Sequence, residues 1–282
     1  MRRPRDRFNG QPVMTVLRGL AIAAVMVGLS IAFPAQGVAD DLVASVLEAN
    51  RRTQWVTLSP GFAMRRMMIG RGSMTVHAWA IDPKHNKIAV VEQMKPTGST
   101  TAEFRAEHKA LLAINGGFFE KDRSGALTPS GLLIVDGDTR HPYHEKAGSG
   151  ALLVAGGKVS LDWSRSAGAG KNWTHALQVG PMVVDPGGKN GIRANNNKRV
   201  DRSAVCLAGG KLIFVVIDGG MSLFELGQIL SESDLSGGFG CERALNLDGG
   251  PSTQASFEHG NQRSEVTGDW PVQNGIVVIR RQ

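Results

Sequence analysis

The chain has 282 residues, of which 41% are hydrophobic and 20% charged, enough apolar material for a sizeable core and too much for a disordered chain. Glycine is abundant at 36 residues while aromatics make up 6%, a balance that favours tight turns between short strands over a helical bundle. The formal net charge of +7 is local: residues 1–39 hold five of the 32 Lys and Arg but one of the 25 acids, so 27 and 24 remain, and no nucleic-acid footprint survives.

In chain order, the first segment reads as an export signal. Arg2, Arg3, Arg5 and Arg7 form a basic start, residues 19–35 are apolar, and Gly37-Val38-Ala39 precede Asp40-Asp41. Cleavage is expected after Ala39, leaving residues 40–282 as one periplasmic or secreted domain. An uncleaved segment would be its link to a membrane. A short helix is expected over 41–50. Strands are expected over 74–81 and 87–93, joined as a hairpin by Asp82-Pro83-Lys84-His85-Asn86. Residues 101–112 read as a helix with Thr101 as its N-cap, followed by a strand into Asn115-Gly116-Gly117.

Further strands are expected over 131–135, 151–154, 158–161, 176–184, 203–207 and 212–217, with Asp136-Gly137 and Gly156-Gly157 as hairpin turns. Residues 222–230 are an amphipathic helix in which Ser222 and Glu225 form a capping box. Strands over 244–247 and 275–280 complete an α+β fold: a single domain with a largely antiparallel twisted sheet core and two or three packed helices. Export permits a disulfide, and Cys206 and Cys241 are its candidates, with two separate buried thiols as the alternative. Two cysteines and seven scattered histidines lack metal-ligand spacing.

Islands of glycine and polar residues close several apolar runs. They are Ile114-Asn115-Gly116-Gly117-Phe118-Phe119-Glu120, Val179-Gly180-Pro181, Arg202-Ser203-Ala204, Ile217-Asp218-Gly219-Gly220 and Leu247-Asp248-Gly249-Gly250-Pro251-Ser252. A carboxylate at a strand end beside bare glycine backbone suits an acid, a base or a metal ligand. In this order and spacing the islands resemble the phosphodiester glycosidase family, loosely over residues 75–280. Gly220 departs from the resemblance, standing where a basic residue is common, and the connection from Asp218 to Ser222 is short.

The resemblance implies hydrolysis of a sugar 1-phosphodiester, with a phosphate-linked sugar or glycan as the partner molecule and no cofactor, although a divalent metal is an open alternative. It assigns Asp248 as base or nucleophile, Asp218 as its partner carboxylate and Glu120 in reserve. Arg202 becomes the phosphate clamp, because a guanidinium makes bidentate bonds to phosphate oxygens. Asn115 and Ser252 are expected to orient sugar hydroxyls or phosphate, and Gly116, Gly117, Gly249 and Gly250 to offer backbone donors. His141 and His144 read as solvated loop residues. The natural substrates would be envelope or exopolysaccharide glycans. Two other functions fit the same residues: a non-catalytic glycan-binding module, and a divalent-metal phosphodiesterase using Asp218 and Asp248.

Overall fold

The computed structural model describes residues 36–167 and 172–281, so the expected signal segment up to Ala35 lies outside the described residues. Helix α1 (Gln36–Arg52) is followed by strands β1 (Val56–Ser59), β2 (Phe62–Ile69), β3 (Met74–Ile81) and β4 (Asn86–Glu92), then helix α2 (Thr101–Glu107). Next come β5 (Leu112–Asn115), β6 (Phe119–Lys121), β7 (Leu127–Pro129), β8 (Leu133–Val135), β9 (Asp138–His141), β10 (Gly150–Ala155) and β11 (Lys158–Trp163). They lead to β12 (His175–Val179), β13 (Met182–Asp185), β14 (Lys189–Asn190), β15 (Val200–Ala208) and β16 (Lys211–Met221). Helix α3 (Leu223–Ser231) precedes β17 (Arg243–Asn246), β18 (Ala255–His259), β19 (Gln262–Val266) and β20 (Asn274–Arg280).

The strands form an eight-stranded sheet ordered β1-β2-β3-β16-β15-β17-β13-β14, two five-stranded sheets ordered β11-β10-β12-β8-β9 and β19-β18-β5-β20-β4, and the ribbon β6-β7. Every pairing between these strands is antiparallel. The α+β class, with three helices among the described residues, is therefore as expected.

One core joins the three large sheets. Trp79 and Phe214 reach it from the first, Leu152 and Leu177 from the second, and Ile114, Phe257 and Ile276 from the third. Alternation explains the other faces. In β5, Leu112 and Ile114 point into this core while Ala113 points to Phe104 of α2. Helices α1 and α3 cover the outer face of the eight-stranded sheet, where Val43, Val46, Leu226 and Ile229 meet Val76, Ala204 and Val215.

Local chemistry sets the turns and caps. Asp136 and Gly137 (φ 51° and 89°) and Gly156 and Gly157 (φ 55° and 75°) make the two expected hairpin turns. The Ser222–Glu225 capping box is present on α3. On α2 the N-cap is Thr100 rather than Thr101, because Glu103 closes a capping box with Thr100, and the helix ends at Glu107.

Two expected strand assignments are corrected. β3 and β4 do not pair as a hairpin: β3 lies between β2 and β16, and β4 pairs with β20 in another sheet. β3 is buried on both faces, by Val76 and Ala78 under the helices and by Trp79 and Ile81 in the core, so it needs a strand on either side. The connecting turn instead carries the chain across the ~10 Å between packed sheets. The run over 176–184 is likewise two strands in two sheets, split at Gly180-Pro181, a cis peptide, where Pro181 has no N–H to continue the ladder.

Cys206 and Cys241 are joined in a disulfide with Cα atoms 5.7 Å apart, closing a loop of sequence separation 35 around β16 and α3. A loop of this length stabilises the fold by about 3–4 kcal/mol in the chain-entropy account. The Cys206→Ala/Cys241→Ala protein is expected to lose that much in urea unfolding, and an unchanged midpoint would show that the bond contributes nothing.

Candidate active site

The site forms where the eight-stranded sheet and the β5 sheet meet at their strand ends. After β17 the chain is stitched to both: Leu247 N–H donates to the Ser203 carbonyl at 2.8 Å and Asp248 N–H to the Gly116 carbonyl at 2.9 Å. The Asn115 side chain donates to the Asp248 carbonyl at 2.8 Å. Asp248 is thereby held between two strand ends, partly buried. Its carboxylate accepts the Gly249 N–H at 2.9 Å and a hydrogen bond from Ser252. Burial outweighs these donors and raises its pKa above the ordinary Asp value.

Arg202 lies beside the next residue, Gly249. Its Nε donates to the Met221 carbonyl at 2.7 Å and its Nη2 to the Lys198 carbonyl at 3.1 Å. The residue is buried, yet it has no ion pair with a carboxylate among the described residues. Its neighbour Asp201 accepts from Gly219 N–H instead, at 3.0 Å, and the nearest buried carboxylate, Glu225, is forked by Arg199. Burial lowers the Arg202 pKa, partly offset by the field of Glu225. A Cβ on Gly249 would lie 3.7 Å from Arg202 Nη1, so the free end of the guanidinium abuts the loop that follows Asp248. A buried cation fixed by two carbonyls, with no carboxylate in direct contact among the described residues, suits an incoming anion.

The other expected site residues divide. Ser252 is buried and bonds the Asp248 carboxylate. Gly250 (φ 60°) has open space on its Cβ side, and its N–H has no partner among the described residues, so it remains a donor for a ligand. Three glycine expectations need correction: Gly116 N–H donates to the Asn274 carbonyl at 3.0 Å, Gly117 N–H to Asn274 Oδ1 at 2.6 Å, and Gly249 N–H is spent on Asp248. Asn115 is corrected as well. It is fully buried, and its Oδ1 accepts from Ser203 Oγ (2.6 Å) and Gln254 N–H (3.1 Å), so it positions Asp248 instead of facing a ligand.

Asp218 sits exposed near the end of β16, paired with Thr75 across the ladder. No hydrogen bond or ion pair joins it to Asp248. The row order Asp248 loop, β15, β16 separates them by two strand widths, about 10 Å. Glu120 is exposed on β6 and faces a cavity of about 480 Å³ shared with Phe118, Thr128, Ser130, His141, His144 and Lys146. Phe118 is two residues from the Gly116 carbonyl that holds Asp248, at most about 7 Å of chain. His141 and His144 line this cavity: His144 is exposed on a loop, and His141 ends β9 half-buried with its Nδ1 3.0 Å from the Gly131 carbonyl.

Sequence reasoning missed the amide network behind the site. Gln178 is buried; it donates to the carbonyls of His144 (2.6 Å) and Gly148 (3.1 Å) and accepts from the N–H groups of Leu132 (3.0 Å) and His144 (3.1 Å), fixing the cavity wall. Asn246 donates to the Gly180 carbonyl at 3.1 Å. The available signal was an amide interrupting an apolar run, as in Leu177-Gln178-Val179 and Leu245-Asn246-Leu247. A Cβ on Gly116 would meet Asn274 Oδ1 at 2.1 Å. Gly116→Ala is therefore expected to push Asn274 aside, lower stability by roughly 1–3 kcal/mol, and reduce any activity that depends on Asp248. An unshifted melting temperature would contradict this packing.

A family model described as phosphodiester glycosidase matches residues 108–279. No curated protein matches the chain. Among solved structures, the chain is similar to the catalytic domain of zebrafish N-acetylglucosamine-1-phosphodiester alpha-N-acetylglucosaminidase auto-inhibited by pro-peptide, with TM-score 0.57 and 18% identity over 82% of this chain and 88% of that one. It is also similar to a hypothetical protein from Synechocystis, with TM-score 0.56 and 16% identity over 81% of this chain and 64% of that one, so it spans less than two thirds of that protein's length. At these identities the two structures speak for the fold. The family match extends over more than half of the chain and takes in the glycine island at Asn115, the buried Arg202 and the Asp248 loop: the chain belongs to the phosphodiester glycosidase family.

Proposed function

We propose that the protein is an exported hydrolase that cleaves sugar 1-phosphodiesters in envelope or exopolysaccharide glycans. The observation that carries this reading is the buried Arg202, without a carboxylate partner, pressed against the Gly249 loop beside an Asp248 whose pKa is raised. Arg202 and the unspent Gly250 N–H hold the phosphodiester oxygens. Water attacks the anomeric carbon, Asp248 takes its proton, and the C1–O bond breaks with its electron pair leaving on the phosphate. Because that leaving group is already a stable anion, electrostatic placement contributes more than a general acid. A raised pKa suits Asp248 to the role of base, since it brings proton affinity closer to the operating pH.

Export is supported by the basic and apolar leader and by the Cys206–Cys241 disulfide, a bond favoured in oxidising compartments. The divalent-metal reading has less support: among the described residues no group of three His, Cys, Asp or Glu is placed to hold a metal, and Asp218 and Asp248 are apart. The test is incubation of residues 40–282 with a panel of sugar 1-phosphodiesters, with and without chelator, beside the Asp248→Asn variant. Sugar release by the wild type alone, insensitive to chelator, is expected. Release that stops on chelation would favour the metal reading, and binding without release a glycan-binding module.

A further inference from the structure

We infer that the groove around Trp270 is an outer sugar-binding subsite, so that the substrate is a glycan of several units instead of a single sugar phosphodiester; this rests on the reading of the chain as a phosphodiester glycosidase. The groove has a volume of about 430 Å³ and is lined by Thr97, Phe119, Lys121, Leu127, Trp270 and Pro271. Trp270 is 56% exposed, and with Phe119, Leu127 and Pro271 it gathers apolar surface in one groove.

Its mounting is rigid and leads back to the active loop. The N–H groups of Asp269 and Trp270 both donate to the Pro251 carbonyl, at 2.8 and 3.1 Å, and Gln254 Nε2 donates to the Trp270 carbonyl at 2.9 Å. Pro251 follows Asp248 by three residues, at most about 11 Å of chain. Lys121 and its ladder partner Leu127 face the groove from the ribbon β6-β7. The floor also depends on close backbone approach: a Cβ on Gly98 (φ 97°) would meet Leu127 Cδ1 at 2.7 Å and Pro271 Cβ at 2.9 Å.

Size and chemistry select the occupant. The groove lies in the range of small-molecule sites, ~300–1,000 Å³. The rings of Trp270 and Phe119 together with the polar ends of Thr97 and Lys121 suit a sugar ring, which has C–H faces and hydroxyl edges. A glycan whose phosphodiester lies at Asp248 finds this platform at the next turn of the same loop.

The test compares kcat/KM for a tetramer of N-acetylglucosamine units joined through 1-phosphodiesters with that for the single-unit methyl phosphodiester. Trp270→Ala is expected to lower the tetramer-to-monomer ratio roughly 10-fold, the scale of one lost aromatic contact, at an unchanged melting temperature. An unchanged ratio overturns the subsite. If the wild type turns over neither compound, the hydrolase reading fails separately, and the subsite is judged by binding. Titrating the Asp248→Asn protein with the tetramer should then give a saturable tryptophan fluorescence change that is lost on adding Trp270→Ala, and its absence overturns the inference. A sedimentation coefficient lowered by Trp270→Ala, or a Trp270 fluorescence change on removing residues 1–39, would assign the groove to a second copy or to the leader and also overturn it.

Discussion

Asp248→Asn is expected to lower kcat on a competent phosphodiester by on the order of 10³-fold while raising the melting temperature at neutral pH. Both effects come from one feature of the fold. The loop after β17 pins Asp248 between Ser203, Gly116 and Asn115, and the surrounding protein raises the pKa of its carboxyl in spite of hydrogen bonds from Ser252 and Gly249. A carboxyl whose folded pKa is raised contributes stability below its unfolded pKa and loses it as pH rises through the folded value, so the ionised group costs stability at neutral pH. Asparagine removes the charge and keeps an oxygen for the same two donors. The stability gain should therefore disappear below the ordinary Asp range. Activity follows the opposite course, rising with pH through the raised pKa as the base ionises. Equal melting curves at pH 7, or a rate that ignores the substitution, would separate Asp248 from the chemistry.

Arg202→Lys is expected to cost on the order of 10²-fold in kcat/KM, although the charge is conserved. The Arg202 guanidinium spends Nε and Nη2 on the carbonyls of Met221 and Lys198 and keeps Nη1 beside Gly249. An ammonium on a flexible stem cannot hold two carbonyls and also present a planar fork to phosphate. Inorganic phosphate should compete with substrate in the wild type and much less in the variant, a readout that loss of packing alone would not move. If phosphate inhibits both proteins equally, Arg202 is structural and its missing anion lies elsewhere.

Local chemistry was legible in the sequence. The Ser222–Glu225 capping box and the Asp136-Gly137 and Gly156-Gly157 turns depend on residues a few positions apart. The resemblance carried by the islands grouped Arg202, Asp248 and Ser252, and the fold sets Arg202 against Gly249 and Ser252 on the Asp248 carboxylate. Decisions made between distant segments were hidden. The change of sheet between β3 and β4 is set by which strands flank each of them, and the turn residues between are compatible with either outcome. The donors of Gly116 and Gly117 are consumed by Asn274, far along the chain, so their glycine-rich context suggested a ligand cradle where the fold has a tight strand junction. Buried amides such as Gln178 and Asn115 resemble turn residues in one dimension, and only their partners identify them as supports. The twenty strands among the described residues outnumber those expected because several are two to four residues long, too short for alternation to register.

The bond that is cleaved tests the account most directly. Hydrolysis of a sugar 1-phosphodiester in H₂¹⁸O by residues 40–282 should place the label on the anomeric hydroxyl of the released sugar and leave the phosphate unlabelled, because Asp248 delivers water to carbon while Arg202 holds the departing phosphate. Label in the phosphate would mean attack at phosphorus, and it would contradict both the glycosidase reading and the roles given to these two residues.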